Sequence, residues 1–312
     1  MAAFDQAHAS SDGGAVLLRA ADRAVHLIRP LAQVLADRRA ATRVTHPWAD
    51  VLAQRIFGIA CGYPDANDAD GLADDPIQKL LLDRDPITGG RLASQPTISR
   101  FENAVGPRTL YRLGEALTDA VIARHRRRRP RARRVTIDID VTEDPTHGAQ
   151  QLSFFNGFYA GWCYLPLVAF LTIDDEPRQY LVAAALRPGN ASTSGGARGL
   201  LRRLIPKVWA AFPRAKVRVR LDAGFATPVI FAELEAAGVE YVVAMATNPV
   251  LAAAAAPLLA EARTAAAAIG GPHESSARRA IRRSRGRTRV ARSSRPKWWP
   301  TPAASCGTIR AS

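Results

Sequence analysis

The sequence predicts an α/β chain: an all-helical N-terminal domain followed by a mixed sheet with helices packed on it. Three observations predict this. Apolar residues recur at three- and four-residue spacing through residues 15 to 126. From Arg134 the pattern changes to strict alternation. The elements that follow read strand, strand, strand, helix, strand, helix, strand, which gives three antiparallel strands and then crossovers to parallel ones.

The stretch AVLLRAADRAVHLIRPLAQVLADRR is helical in its spacing, with Pro30 as the expected joint. Trp48 to Cys61 is a second amphipathic helix, closed by Gly62 ahead of the Pro64 turn. Pro76 to Leu82 is short and apolar. Ser94 to Ala104 opens with a cap-like Ser and Pro96 in its first turn. Arg108 to Arg124 places Leu110, Leu113, Leu117 and Val121 on one face. Two readings of these helices stay open. One is a generic bundle. The other is a helix-turn-helix DNA reader presenting Gln95, Thr97, Ser99 and Arg100 at a helix start.

In RRVTIDIDV, Val135, Ile137, Ile139 and Val141 share one face, and Thr136, Asp138 and Asp140 the other. Tyr164 to Ile173 and Gln179 to Arg187 form a hairpin across TIDDEPR. Gly195 to Phe212 is a helix facing inward through Leu200, Leu201, Leu204, Val208 and Trp209. Lys216 to Asp222 alternates as a strand. Thr227 to Ala237 is a helix with Pro228 near its start and Gly238 past its end, and Glu240 to Ala246 is a buried strand.

The 312 residues carry a formal charge of +15, and two segments hold it. Residues 124 to 134, RHRRRRPRARR, contribute +8, and residues 271 to 312 contribute +10, which leaves −3 elsewhere. Arg126, Arg127, Arg128 and Arg129 cannot lie in a core without partners. They form either a solvated linker or a strap on DNA phosphates, where clustered Arg releases counterions. Cys61, Cys163 and Cys306 are too few and too scattered for a disulfide framework or zinc cluster. No run of 18 apolar residues crosses a membrane, and the N-terminus lacks the pattern of a signal peptide. The expectation is a soluble cytoplasmic protein with a polyanionic partner.

The last 42 residues contain no Leu, Asp, Asn, Gln, Phe or Tyr. They read either as a disordered basic tail or as an out-of-frame translation of a GC-rich gene. Trp298 and Trp299 fit a solvated tail poorly. Joining the last base of each codon from Lys297 to Arg310 with the first two of the next forces Val, then Ala, at the Trp pair. It also permits VVADPGRELRDNP, an ordinary globular sequence. The codon arithmetic favours a shift of frame between residues 263 and 275.

Asp140 lies near the end of the first strand, and Asp222 ends the fourth, ahead of Ala223 and Gly224. Carboxylates at neighbouring strand ends can converge on Mg²⁺, a hard cation that takes oxygen ligands. Two such ions would activate a nucleophile and stabilise the leaving oxygen of a phosphodiester. The plainer reading makes Asp138 and Asp140 edge acids and Asp222 a turn residue.

The run Asp138-Ile139-Asp140-Val141-Thr142-Glu143-Asp144-Pro145-Thr146-His147-Gly148, then Phe154-Phe155-Asn156-Gly157, resembles a DDE-type transposase of bacterial insertion sequences. Leu186-Arg187-Pro188-Gly189-Asn190, Arg220-Leu221-Asp222-Ala223-Gly224-Phe225 and Ala246-Thr247-Asn248-Pro249 carry the same resemblance. Upstream, Gly62-Tyr63-Pro64-Asp65-Ala66-Asn67-Asp68 and Ser94 to Asn103 extend it, so that it covers residues 10 to 260 in order. It looks most like DDE group 1, the insertion-sequence thirteen-eighty type.

The resemblance implies a ribonuclease-H-like mixed-sheet core behind an all-helical DNA-binding domain. It implies strand cleavage and transfer with Mg²⁺ or Mn²⁺ in a two-metal mechanism. DNA (terminal repeats and target) is the implied partner, and the active family is expected to form homo-oligomers. It makes Asp140 the first catalytic and metal-binding acid, with Asp138 the alternative, and Asp222 the second. His147 and Asn190 are orienting or structural residues. A third acid, usually Glu, is implied on a later helix, yet residues 275 to 312 contain no Asp or Glu, and Glu261 lies in an Ala-rich stretch. The expected organisation is a DNA-binding domain over 1–125, an Arg-rich linker over 126–133, an incomplete catalytic core over 134–260 and a disordered, out-of-frame tail over 261–312. On this reading the chain is a truncated, inactive remnant of a transposase, or a DNA-binding product that occupies transposon ends and inhibits an intact relative.

Overall fold

The computed structural model describes residues 8–246, 248–269, 278–282, 288–292 and 307–311. The chain divides into two units, Met1–Arg124 and His125–Ser312.

The first unit is helical: α1 (Val16–Val25), α2 (Ile28–Gln33), α3 (Trp48–Ala60), α4 (Asp68–Leu72), α5 (Pro76–Leu81), α6 (Gln95–Ala104) and most of α7 (Pro107–Arg128). The joint between the first two helices falls at His26, not at Pro30. His26 adopts a left-handed conformation with φ +55°, and the Asp22 carboxylate accepts the Leu27 and Ile28 N–H groups at 3.2 and 2.9 Å. Pro30 sits in the first turn of α2, where a missing N–H costs nothing. Helix α3 ends as expected, with Gly62 at φ +97°. Val51, Ala69, Ala93, Ile98 and Phe101 form one small core, with Trp48 set edge-on against Phe101 at 5.2 Å. The buried Gln54 amide exchanges two hydrogen bonds with the Ala93 backbone, at 2.8 and 2.9 Å, which fastens the segment before α6 to α3.

Helix α7 runs on to Arg128, so the Arg-rich stretch expected as a linker from residue 126 begins as helix. Arg is a good helix former, and Arg126, Arg127 and Arg128 complement the C-terminal end of the helix dipole until Pro130 stops propagation. The inward face of α7 also differs from expectation. Thr118, Ile122 and His125 are buried, whereas Leu110 is exposed.

The second unit is built on β1 (Arg134–Val141), β2 (Asp144–Pro145), β3 (Phe154–Asn156), β4 (Gly161–Tyr164), β5 (Leu167–Ile173), β6 (Tyr180–Ala185), α8 (Ala197–Ala211), β7 (Lys216–Leu221), α9 (Pro228–Ala236), β8 (Glu240–Met245) and α10 (Pro249–Ile269). Strand β1 is central. It pairs antiparallel with β5 and parallel with β7; β6 lies antiparallel beyond β5, and β8 parallel beyond β7. This is the mixed order that the alternation predicts. Val135, Ile137 and Ile139 are buried along β1, and Leu201, Leu204 and Val208 of α8 with Ile230 and Leu234 of α9 complete the apolar layer. Trp209, expected inward, is 38% exposed.

The segment Tyr164 to Ile173 is not one strand. It breaks at Leu165-Pro166, and β4 joins β2 and β3 in a separate three-stranded sheet, because Pro166 has no N–H for a ladder. Helix α10 crosses the expected boundary at residue 260. The segment expected to be disordered holds three strands, β9 (Arg278–Arg282), β10 (Thr288–Arg292) and β11 (Gly307–Ala311). Strands β9 and β10 pair with each other, and β11 pairs antiparallel with β8. Strand β11 thereby covers the edge of β8 that β7 leaves open. Trp298 and Trp299 lie outside the described residues.

Candidate active site at the ends of β1 and β7

The parallel ladder of β1 and β7 ends on the rung Ile139↔Leu221. The rung before it pairs Asp138 with Arg220, and the next position on each strand is an aspartate, Asp140 and Asp222. Neighbouring strands stand about 5 Å apart, so the two acids are adjacent in space.

The two positions differ in charge balance. The Arg220 guanidinium grips Asp138 with both Nε and Nη2, the latter at 2.8 Å, and Gln179 adds a third donor at 3.3 Å. The Asp138 hydrogen bonds hold the Arg220 pKa above its ordinary value. Asp140 and Asp222 have no ion-pair partner among the described residues. One oxygen of Asp140 accepts the Val141 N–H at 2.8 Å, and one of Asp222 accepts the Gly224 N–H at 2.9 Å. That second bond caps the single turn Ala223–Phe225. Phe225 is fully buried, and a Cβ on Gly224 would collide with the Thr193 side chain, so the turn that aims Asp222 is held from both sides.

Although Asp222 is open to water, surrounding protein displaces part of its hydration. That desolvation, then the negative charge of Asp140, pushes its pKa above the ordinary carboxylate range. Tyr159 reports the same field. Burial raises its phenol pKa first, followed by the charges of Asp140, Glu143 and Asp222. Sequence reasoning did not single out Tyr159 or Glu143 as site neighbours. Tyr159 arrives in the turn between β3 and β4, whose placement no periodicity in the sequence signals, whereas Glu143 follows Asp140 by three residues in the chain.

A divalent cation suits this pair: hard oxygen donors, like-charged and not neutralised by Arg, are what such an ion satisfies. Among the described residues no group of three or more His, Cys, Asp or Glu is arranged to hold a metal. Glu261 is exposed on α10. Of the residues expected to read DNA, Arg100 is exposed, whereas Gln95, Thr97 and Ser99 are half-buried. The Gln95 N–H is held by Asp70 at 3.0 Å, and the Ser99 hydroxyl faces Asn103 at 3.3 Å. Arg126, Arg127 and Arg128 are exposed, and Arg129 is tied to Glu176 at 3.0 Å.

Residues 1–298 match the family of the transposase DDE domain, group 1. The chain belongs to the group 1 DDE transposases. The match runs past residue 260, where the resemblance carried by the short motifs stops. Membership places the chain among the transposases. No curated protein matches the chain. Among solved structures, it is similar to the piggyBac transposase synaptic complex with hairpin DNA, with TM-score 0.36 and 12% identity over 92% of this chain. The chain spans 57% of that transposase's length. It is also similar to the Mos1 transposase paired-end complex with the left transposon end, with TM-score 0.23 and 14% identity over 68% of this chain and 70% of that one. Among the described residues, no helix is long and apolar enough to cross a membrane.

Proposed function

We propose that Asp140 and Asp222 are two of the carboxylates of an insertion-sequence transposase, acting on DNA held at the ends of β1 and β7. The observation that carries this reading is the acid rung itself: two aspartates on adjacent parallel strands, left unneutralised one step beyond an aspartate that Arg220 neutralises. Asp138, the alternative first acid, is engaged in that pair, which leaves Asp140 for the cation.

The free oxygens of Asp140 and Asp222 would hold Mg²⁺ or Mn²⁺, which when bound supplies charge neutralisation and an activated oxygen nucleophile. The Gly224 N–H and the packed turn Ala223–Phe225 keep Asp222 aimed. In hydrolysis at an element end, water attacks phosphorus, the bond to the 3′ oxygen breaks, and a 3′-hydroxyl and a 5′-phosphate result. In transfer, that hydroxyl attacks a target phosphodiester, forms a new bond to its phosphorus and expels the target's 3′ oxygen, which leaves as a 3′-hydroxyl. Exposed Arg126, Arg127 and Arg128 contact DNA phosphates, and Arg100 contributes on α6.

The finer reading is that residues 1–312 bind element ends but cleave poorly. The stretch 275–312 has no Asp or Glu to serve as the third acid, and removing one group that stabilises the transition state commonly costs a factor of about 100 to 1,000 in rate. The test is Mn²⁺ binding by calorimetry together with strand cleavage on DNA carrying the element ends, for this chain and for one with the downstream frame restored. Binding that Asp140→Asn and Asp222→Asn abolish, with cleavage confined to the restored chain, is the expected result. Mn²⁺ binding indifferent to both substitutions would refute the assignment, and robust cleavage by the 312-residue chain would refute the loss of activity.

A further inference from the structure

Arg187 follows the last residue of β6 by two positions, and its guanidinium binds backbone carbonyls. Nε donates to Leu165 at 2.8 Å. Nη1 donates to Ser192, Thr193 and Gly195 at 2.9, 3.3 and 2.6 Å. Nη2 is buried and has no hydrogen-bond partner among the described residues. Desolvation lowers the Arg187 pKa below its ordinary value. A cation placed this way is costly, and the carbonyls offset that cost only while both segments stay where they are.

The two segments that Arg187 joins are the ones that support the two acids. Leu165 is held from both sides, since its own N–H donates to the Arg187 carbonyl at 3.0 Å. The next residue, Pro166, accepts the Thr142 N–H at 3.1 Å, and Leu167 pairs with Val141 on β1. Val141 and Thr142 are the two residues that follow Asp140. On the other side, Thr193 fills the space where a Cβ on Gly224 would lie. Gly224 is the residue whose N–H the Asp222 carboxylate accepts. The ladder between β1 and β7 stops one residue short of both acids, so no rung between those strands sets their spacing. Like charges repel, and the spacing has to be imposed from outside the pair.

We propose that Arg187 is a positioning residue for the acid pair: its guanidinium joins the segment behind Asp140 to the segment behind Asp222 and so sets the separation of the two carboxylates. This rests on the functional reading above and deepens it by naming what holds the cation ligands to one spacing. It also gives the arginine of the Leu-Arg-Pro-Gly-Asn motif a task. The nitrogens of a guanidinium diverge from one rigid plane and reach two segments at once, whereas a lysine ammonium is a single point on a flexible stem.

The test measures the Mn²⁺ affinity of the full chain from the electron spin resonance signal of the free ion, beside the melting temperature. Arg187→Lys is expected to weaken affinity about tenfold, the lower end of what is lost with a group that orients metal ligands. Thr193→Ser, which removes only the methyl set against Gly224, is expected to give a smaller loss, and it carries the test where Arg187→Lys does not fold. Val208→Ala, in the buried face of α8, is expected to lower the melting temperature and leave affinity unchanged. Hydrogen exchange without metal is expected to show the Thr142 and Gly224 amides losing protection together in Arg187→Lys, and Gly224 alone in Thr193→Ser. Unchanged Mn²⁺ affinity in Arg187→Lys, with parent binding that Asp140→Asn and Asp222→Asn abolish, would overturn the role of Arg187 and leave the functional reading standing. So would an affinity loss in Val208→Ala matching that of Arg187→Lys at equal melting temperature. A parent chain that binds no Mn²⁺ would refute the functional reading. The exchange data then decide the coupling by themselves, and independent protection of the two amides would overturn it.

Discussion

Arg220 on β7 holds Asp138 on β1 through two nitrogens, directly across the parallel ladder and one step before the Asp140 and Asp222 pair. This pairing separates two acids that share one strand face. It neutralises Asp138 and draws β1 and β7 together where the unneutralised acids would push them apart.

Arg220→Ala is therefore expected to destabilise the second unit. The Arg220 side chain is 43% exposed, so solvent screening limits the coupling to about 1 kcal/mol. A double-mutant cycle with Asp138→Ala, followed by urea denaturation, measures it. A coupling near zero would show that the bidentate pair does not hold the strands.

Asp222→Asn is expected to stabilise the protein at neutral pH. The folded-state pKa of Asp222 lies above its ordinary value, so its favourable contribution is present in acid and is lost as pH rises through the folded pKa. At neutral pH the ionised group is a liability, and Asn keeps the acceptor for Gly224. The gain should stay below about 1 kcal/mol because the residue is open to water. It should vanish in acid, and millimolar Mg²⁺ should erase it by stabilising the parent chain alone. Thermal melts across pH, with and without Mg²⁺, give the comparison.

Gly189→Ala is expected to cost about 1 to 3 kcal/mol, because the added methyl meets two backbone carbonyls that cannot yield without parting β3 from β4. Hydrogen exchange at Phe155 and Trp162 should quicken in this variant while the amides of β1 keep their protection.

Asp75→Ala is expected to cost about 1 kcal/mol in the first unit. The Asp75 carboxylate accepts the Ile77 and Gln78 N–H groups at 2.8 and 2.9 Å and so caps α5. Asp75→Ser should recover most of the loss. Denaturation of the two variants side by side settles the contribution of the cap.

Joint replacement of Arg126, Arg127 and Arg128 by Ala should weaken binding to all duplexes alike. It should flatten the log–log salt dependence by about 0.9 for each phosphate that is no longer neutralised. An unchanged slope would exclude the end of α7 from the DNA interface.

Much of this architecture was legible in one dimension. Alternation in RVTIDIDV and KVRVRL, and the spacing of Leu201, Leu204 and Val208, determined β1, β7 and the buried face of α8, because burial on one side of an element imposes its own period. The order of those elements predicted a mixed sheet; the strand order that sets β1 beside β7, and so Asp140 and Asp222 on adjacent strand ends, came with the fold. Tertiary structure decided which acid is free, since only the register sets Arg220 against Asp138. It decided that Trp209 and Leu110 face water although their spacing suits a core. It brought Tyr159 to the acids in the turn of a small sheet of two- to four-residue strands, too short to show a period. Periodicity records only that a residue has a buried side; which neighbour stands there is set by contacts between segments far apart in the chain, and those exist only once the chain has folded.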